Sequence, residues 1–472
     1  MLERKVSQLA AGSAVLGLVL AAGAASVAGP WDSGQRTAER ARAVALSRTG
    51  GAHHDVPGAA APARPQAPAP APSAPGVLTA LSPTGAGTKA VAPRPRGLAA
   101  TLEPLLASPD LGRLRTAAVI DVATGEQLYG NAAAAPMTPA STIKLATALA
   151  ALSALGPDHR IPTTVVAAPG FRGVTLVGGG DPTLDTKRLR ALARDTARAL
   201  RDRGVTTVRL TYDTSLYSGP ERHSIGVNDN IAPVTALMTD EGRLDGSTTG
   251  DAPRSADPAG DAARAFAELL ASHGVATADP PARAKAPKRA ALLARTWSQP
   301  VSALVERTLT HSDNDLAEAL ARRTALAHRK PADFDGAGQA VRAELAKLRL
   351  PLAGARFADG SGLDRRDKLS AALLTALLAR AADPDHPELR PVLTGLPVGG
   401  FSGTLRDRYG DGSPGAGLIR AKTGTLTGVN ALAGTVVAAN GRLLAFAFLA
   451  GETPSPYTAQ PALDRLAAAL AR

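Results

Sequence analysis

The chain contains no cysteine. Disulfides therefore contribute nothing to its stability, and zinc–thiolate sites are excluded. Its eight histidines are scattered, and none falls in an H-E-x-x-H arrangement. The close pair His53-His54 lies in a Pro/Ala-rich stretch, where solvated linker is the simpler reading than a metal site. Nor does any fixed-period repeat appear. No metal and no cofactor are expected. Lys and Arg exceed Asp and Glu by twelve, and the part of the excess that follows residue 97 is diffuse. Without clusters of basic and aromatic residues, the sequence carries no nucleic-acid footprint.

Much of that charge sits near the start. Residues 30–97 hold eight Arg/Lys against three Asp/Glu, which suits an anionic wall or membrane surface. Before them, Arg4 and Lys5 precede 21 uncharged residues, 9–29, that end in small side chains. This pattern fits a secretory signal, and its length equally fits a retained membrane anchor. Ten prolines fall between Val56 and Gly97. Such a segment cannot build a packed core, and it reads as an extended tether.

From residue 98 the pattern becomes globular, within a chain of 472 residues of which 44% are apolar. Strands are expected at 116–121 and 127–129, then a long helix from Pro139. Residues 162–297 mix short strands (173–177, 206–211) with helices (186–203, 261–273). Helices resume over 300–327. Near the end, strands 431–439 and 442–450 flank Asn440-Gly441, a strong hairpin signal, and a final helix spans about 460–472. Strands at both ends with helices between predict one sheet assembled from both termini.

Three short motifs carry chemistry. The first is Pro139-Ala140-Ser141-Thr142-Ile143-Lys144. With Thr138 as cap and Pro139 in the first turn, Ser141 and Lys144 would share one helix face. Leu145, Leu149 and Leu152 would anchor that helix in the core, and Gly156-Pro157 would end it. A serine hydroxyl needs a base, and a lysine of lowered pKa can be that base. The second motif is Ser312-Asp313-Asn314, before a helical run. The third is Lys422-Thr423-Gly424-Thr425, before the C-terminal hairpin. There Lys422 would supply fixed positive charge, Thr423 a hydroxyl, and Gly424 room for a substrate backbone. Alone, each has a plainer reading: chance, a helix cap, an exposed turn. Together and in this order they mark serine acyl-enzymes.

On these motifs the chain resembles the low-molecular-mass class C penicillin-binding proteins, which are serine-type D-Ala-D-Ala carboxypeptidases and endopeptidases. The resemblance covers about residues 98–472. It extends to Gly178-Gly179-Gly180-Asp181-Pro182, Asp213-Thr214-Ser215-Leu216-Tyr217, Ala317-Glu318, Asp359-Gly360-Ser361-Gly362-Leu363 and Gly403-Thr404-Leu405-Arg406. It implies an α+β fold: a β-lactamase/transpeptidase-like domain, with an antiparallel sheet flanked by helices, and an inserted smaller domain. On that basis 98–161 and 298–472 would form the catalytic domain and 162–297 the insertion.

The resemblance also implies roles. Ser141 would be acylated by the penultimate D-alanine, with Lys144 as general base. Ser312 would relay the proton to the leaving D-alanine, and Asn314 would give its amide to substrate and lysine. Lys422 and Thr423 would hold the terminal carboxylate, and the N–H groups of Ser141 and Thr425 would form the oxyanion hole. Arg365 matches a side-chain-contacting arginine. Residues 228–233, where relatives that favour diaminopimelate present aromatics, have neither Trp nor Tyr here. The implied partners are peptidoglycan stem peptides and β-lactams, met outside the cytoplasmic membrane. A β-lactamase of the same fold is the first alternative, but no Glu-x-x-Leu-Asn segment follows the first motif. A non-catalytic wall-binding module is the second.

Overall fold

The computed structural model describes residues 95–472, apart from 227 and 411. The expected leader 1–29, most of the tether 30–97 and the pair His53-His54 lie outside the described residues. No helix among the described residues is long and apolar enough to cross a membrane.

Helix α1 (Pro95–Leu106) leads into strands β1 (Leu114–Asp121) and β2 (Gln127–Asn131), then helix α2 (Lys144–Leu155). Strands β3 (Arg160–Ala167) and β4 (Gly173–Val177), helix α3 (Thr186–Arg201), strand β5 (Thr207–Asp213) and helix α4 (Pro258–Ser272) follow. Short strands β6 (Ala276–Thr277) and β7 (Ala282–Arg283) precede the long β8 (Ala291–Pro300). Four helices come next: α5 (Val301–His311), α6 (Asn314–Ala327), α7 (Phe334–Lys347) and α8 (Ala371–Ala382). Strands β9 (Ile419–Leu426), β10 (Val429–Val437) and β11 (Leu443–Gly451) and helix α9 (Pro456–Ala469) complete the chain.

The strands form two main sheets. The first runs β9-β10-β11-β1-β2 and is antiparallel throughout. Its centre pairs the two ends of the globular chain, Leu114 opposite Gly451, as the sequence pattern predicts. Period-two alternation sends neighbouring side chains to opposite faces. Ala118, Ile120, Ala445, Ala447 and Leu449 enter one core with the Leu/Ala faces of α2, α6 and α8. Ala117, Val119, Phe446 and Phe448 enter the other with α1 and α9. Burying a side chain such as Phe446 is worth about 1.5–3 kcal/mol. The second sheet runs β6-β5-β4-β3-β8, with β7 beside β5. Here β4, β5, β6 and β7 pair in parallel, and the sheet shares a separate core with α3 and α4.

Some elements begin where the sequence reading did not place them. The helix expected from Pro139 opens as a 3-10 turn, Ala140–Ile143, and becomes α-helical only at Lys144. Thr138 does not cap it: its hydroxyl donates to the Arg365 carbonyl (3.4 Å) and accepts from Lys368 Nζ (2.8 Å). Helix α9 starts four residues early because Ser455 caps it and Pro456 suits its first turn. Likewise Asp257 caps α4 ahead of Pro258. Helices α7 and α8 were not anticipated.

Candidate active site

The three motifs lie on three different elements and meet at one cleft. Ser141 stands in the 3-10 turn, so it precedes rather than opens α2. That turn packs against β9 at Gly424, where a Cβ would fall 2.7 Å from the Pro139 carbonyl. Gly424 thus lets two protein backbones approach closely. Ser312 ends α5 in the left-handed region, at φ 60°. Asp313 then caps α6 by accepting from Leu316 N (3.0 Å), which leaves Asn314 as the first helical residue, its side chain reaching Lys144 and the Asn230 carbonyl. Lys422, Thr423 and Thr425 lie on the edge strand β9.

Lys144 is fully buried. Its ammonium donates to Ser141 Oγ (2.9 Å), Asn314 Oδ1 (2.6 Å) and the Ser361 carbonyl (2.6 Å). Burial pushes its pKa down to about 8, against the opposing pull of Asp359, Asp313, Glu318 and Asp367. An amine of that pKa, in contact with a hydroxyl, can take its proton near neutrality. Asn314 offers the lysine its oxygen, while its Nδ2 donates to the Asn230 carbonyl (3.0 Å).

Lys422 is also fully buried. Its Nζ donates to Ser312 Oγ and the Thr423 carbonyl, both at 2.8 Å. Burial first, and then the charge of Lys144, hold it well below an ordinary lysine. Its field reaches the cleft through the Ser312 hydroxyl, so it is not the freely presented fixed charge expected from sequence. Thr423 Oγ1 donates to Thr404 Oγ1 (2.9 Å), which places a pair of hydroxyls at the surface of the cleft.

The cleft encloses about 280 Å³ and is lined by Ser141, Ser312, Asn314, Thr423 and Thr425. Asn230, Thr249, Gly250 and Asp251 join them from the segment between β5 and α4. Arg365 is exposed and not part of this lining; its guanidinium donates to the Thr427 carbonyl (2.8 Å), just past β9. A larger groove of about 790 Å³, between α1 and α9, contains none of the motif residues.

The chain matches the model of the D-Ala-D-Ala carboxypeptidase 3 (S13) family over residues 98–254 and 242–470. It belongs to that family. Carboxypeptidase DacB of Mycolicibacterium smegmatis is 38% identical over 438 residues, which span 89% of this chain and 91% of that one. The D-alanyl-D-alanine carboxypeptidase of Actinomadura sp. is 29% identical, over 77% and 82%. Among solved structures, penicillin-binding protein 4 of Haemophilus influenzae superposes with a TM-score of 0.67, covering 78% of this chain and 97% of that one at 22% identity. That likeness shows the fold, α+β with helices flanking the sheet. This S13 member is therefore a D-Ala-D-Ala carboxypeptidase, a hydrolase that acts outside the cytoplasmic membrane.

Several side chains at the S13 site escaped the sequence reading as site residues. Thr404 stands opposite Thr423, and Ser361 gives its carbonyl to Lys144. Glu318 Oε1 accepts the amides of Gly360 (3.0 Å) and Ser361 (2.9 Å). Both segments were visible as family-like runs, but their use of backbone atoms was not. His223, Glu318 and Asp359 each bring a potential metal-ligand atom within 4.8 Å of the others. Most of these atoms are already engaged: His223 Nε2 bonds Asp359 Oδ2 at 2.9 Å and Glu318 Oε1 holds two amides, while the buried Glu318 Oε2 has no partner among the described residues. The cluster is therefore read as a hydrogen-bonded support.

Proposed function

We propose that Ser141 is the nucleophile and Lys144 its general base. The observation that carries this is the 2.9 Å contact between the buried Lys144 amine and Ser141 Oγ. The neutral amine takes the hydroxyl proton as Ser141 attacks the carbonyl of the penultimate D-alanine of a peptidoglycan stem peptide. Ser312, held by Lys422 at 2.8 Å, relays that proton from Lys144 to the departing D-alanine. Thr423 and Thr404 receive the terminal carboxylate, with Lys422 supplying charge from behind. The N–H groups of Ser141 and Thr425 stabilise the oxyanion, each worth about 3 kcal/mol in the transition state. Water then hydrolyses the acyl-enzyme. A β-lactam enters by the same route, and its fragment stays attached. Arg365 is assigned to the side chain of the stem peptide, at the rim.

Residues 162–297 form the inserted domain on this reading, since β3–β8 carry a core of their own, and 98–161 with 298–472 form the catalytic domain. Residues 30–97 hold these at a distance from the membrane, with 9–29 as signal or anchor.

The test is release of D-alanine from a peptide ending in D-Ala-D-Ala. Ser141→Ala should lower the rate at least a thousandfold while leaving thermal unfolding unchanged. Retained turnover in that variant would remove the serine from the mechanism.

A further inference from the structure

His223 lies between β5 and α4, yet its partner is 136 residues away. The ring is buried, and Phe334 meets it edge-on with centroids 5.3 Å apart. Nε2 bonds Asp359 Oδ2 at 2.9 Å. On the other side the Ile225 amide donates to Nδ1 (3.2 Å), which keeps the neutral ring's proton on Nε2.

Asp359 organises a turn. Its Oδ2 also accepts from Ser361 Oγ (3.0 Å) and Asp364 N (2.8 Å), and its Oδ1 from Gly362 N (2.6 Å). The turn 359–364 in turn supports the nucleophile and its base. The Ser361 carbonyl receives the Lys144 ammonium (2.6 Å), and the Gly360 carbonyl receives the Thr147 hydroxyl (2.7 Å). Gly362, at φ 86°, sits so close to the residue before Ser141 that a Cβ would fall 2.1 Å from the Ala140 carbonyl. A hydrogen bond to Asp359 is thus two residues away from the atom that orients the lysine.

We propose that His223 is a positioning residue: by bonding Asp359 it holds the 359–364 turn and so fixes the Lys144 amine beside Ser141. The second sheet's segment then contributes to catalysis as well as lining the cleft. The proposal rests on the roles assigned above to Ser141 and Lys144.

The direction of its effect follows from charge. His223 faces Asp359, Glu318 and Asp364, with Arg222 and Arg254 alongside. Lys144 faces Asp359, Asp313, Glu318, Asp367 and Lys422. Burial, and then the charge of Asp359, push Glu318 up to about 7, against the pull of His223 and Arg322. Asp367, raised by burial and by Asp359 to about 10, stays protonated. Burial opposes ionisation of Asp359, but its hydrogen bonds, that from His223 first, hold it well below the usual carboxylate range. With one donor gone it stays ionised at neutral pH. Its charge, no longer engaged by the imidazole, then acts more strongly on the ammonium and raises the pH at which Lys144 becomes free base.

The experiment measures the second-order rate of acylation by benzylpenicillin from pH 5.5 to 10, on the full chain. His223→Phe keeps a ring against Phe334 and removes the donor. Its acidic limb should move up by about half to one pH unit, which lowers the rate at pH 7 by about three- to tenfold, and the rates should converge by about pH 10. His223→Gln, which retains an N–H donor, should return the limb to within about 0.3 unit of the parent's. An unmoved limb in His223→Phe, or a loss equal at every pH, overturns the proposal, because a merely structural residue gives one of those results. Should His223→Phe not fold, His223→Asn, too short to reach Asp359, carries the same expectations. A parent with no acidic limb sinks the Lys144 assignment and this proposal with it. A parent with the limb and a variant without the displacement sinks the proposal alone.

Discussion

The burial of Lys144 makes a quantitative demand on the pH dependence of the unmodified protein. Only the neutral amine can accept the Ser141 proton. With the pKa lowered to about 8 by burial, roughly half of the molecules carry a free base at pH 8, about a tenth at pH 7 and about a hundredth at pH 6. Acylation by a penicillin should therefore rise about tenfold between pH 6 and 7 and level off above about pH 9. An ordinary surface lysine would place the limb near 10.4. The same burial leaves a trace in stability. The unfolded chain keeps the Lys144 proton up to the ordinary value of 10.5, the folded chain only to about 8. Between those values the unfolded state binds more protons, so this residue's penalty is full below pH 8 and fades as pH rises toward 10.5. Two and a half units correspond to about 3 kcal/mol at most. Stopped-flow acylation across the range is the assay. Lys144→Arg, permanently charged, should lose the reaction altogether. A profile flat from pH 6 to 9, or one that falls as pH rises, would contradict a buried lysine base.

Two packing predictions accompany it. Gly362→Ala forces a side chain into the left-handed region and against the Ala140 carbonyl at 2.1 Å; unfolding in urea should show a loss of about 2–4 kcal/mol, with slower acylation, since Ala140 abuts Ser141. Arg254→Met strands Asp315, whose buried carboxylate the guanidinium meets at 3.2 Å, and should cost about 3–5 kcal/mol in the same measurement.

The sequence was most informative where chemistry restricts residue type. A serine three positions before a lysine, a Ser-x-Asn and a Lys-Thr-Gly can be recognised without coordinates, and the structure brings Ser141, Lys144, Ser312, Asn314, Lys422 and Thr423 together. The sheet closing on Leu114 and Gly451 followed from apolar runs at both ends. Other features depend on contacts between distant parts of the chain. Thr138 looked like a cap, but Lys368 engages its hydroxyl. The close approach of Pro139 and Ala140 to Gly424 likewise has no local signal in the sequence. Helix α8 is so rich in Ala and Leu that it lacks a polar face to mark its period; its core position comes from the sheet it covers. Nothing local in the sequence could pair His223 with Asp359, because the contact closes a loop of 136 residues.

The most direct measurement is mass spectrometry of the full chain after reaction with benzylpenicillin, followed by proteolysis and mapping of the adduct. The account predicts one acyl group, located on Ser141, and none in the Ser141→Ala variant. An adduct at another residue, or none at any pH up to 10, would contradict it.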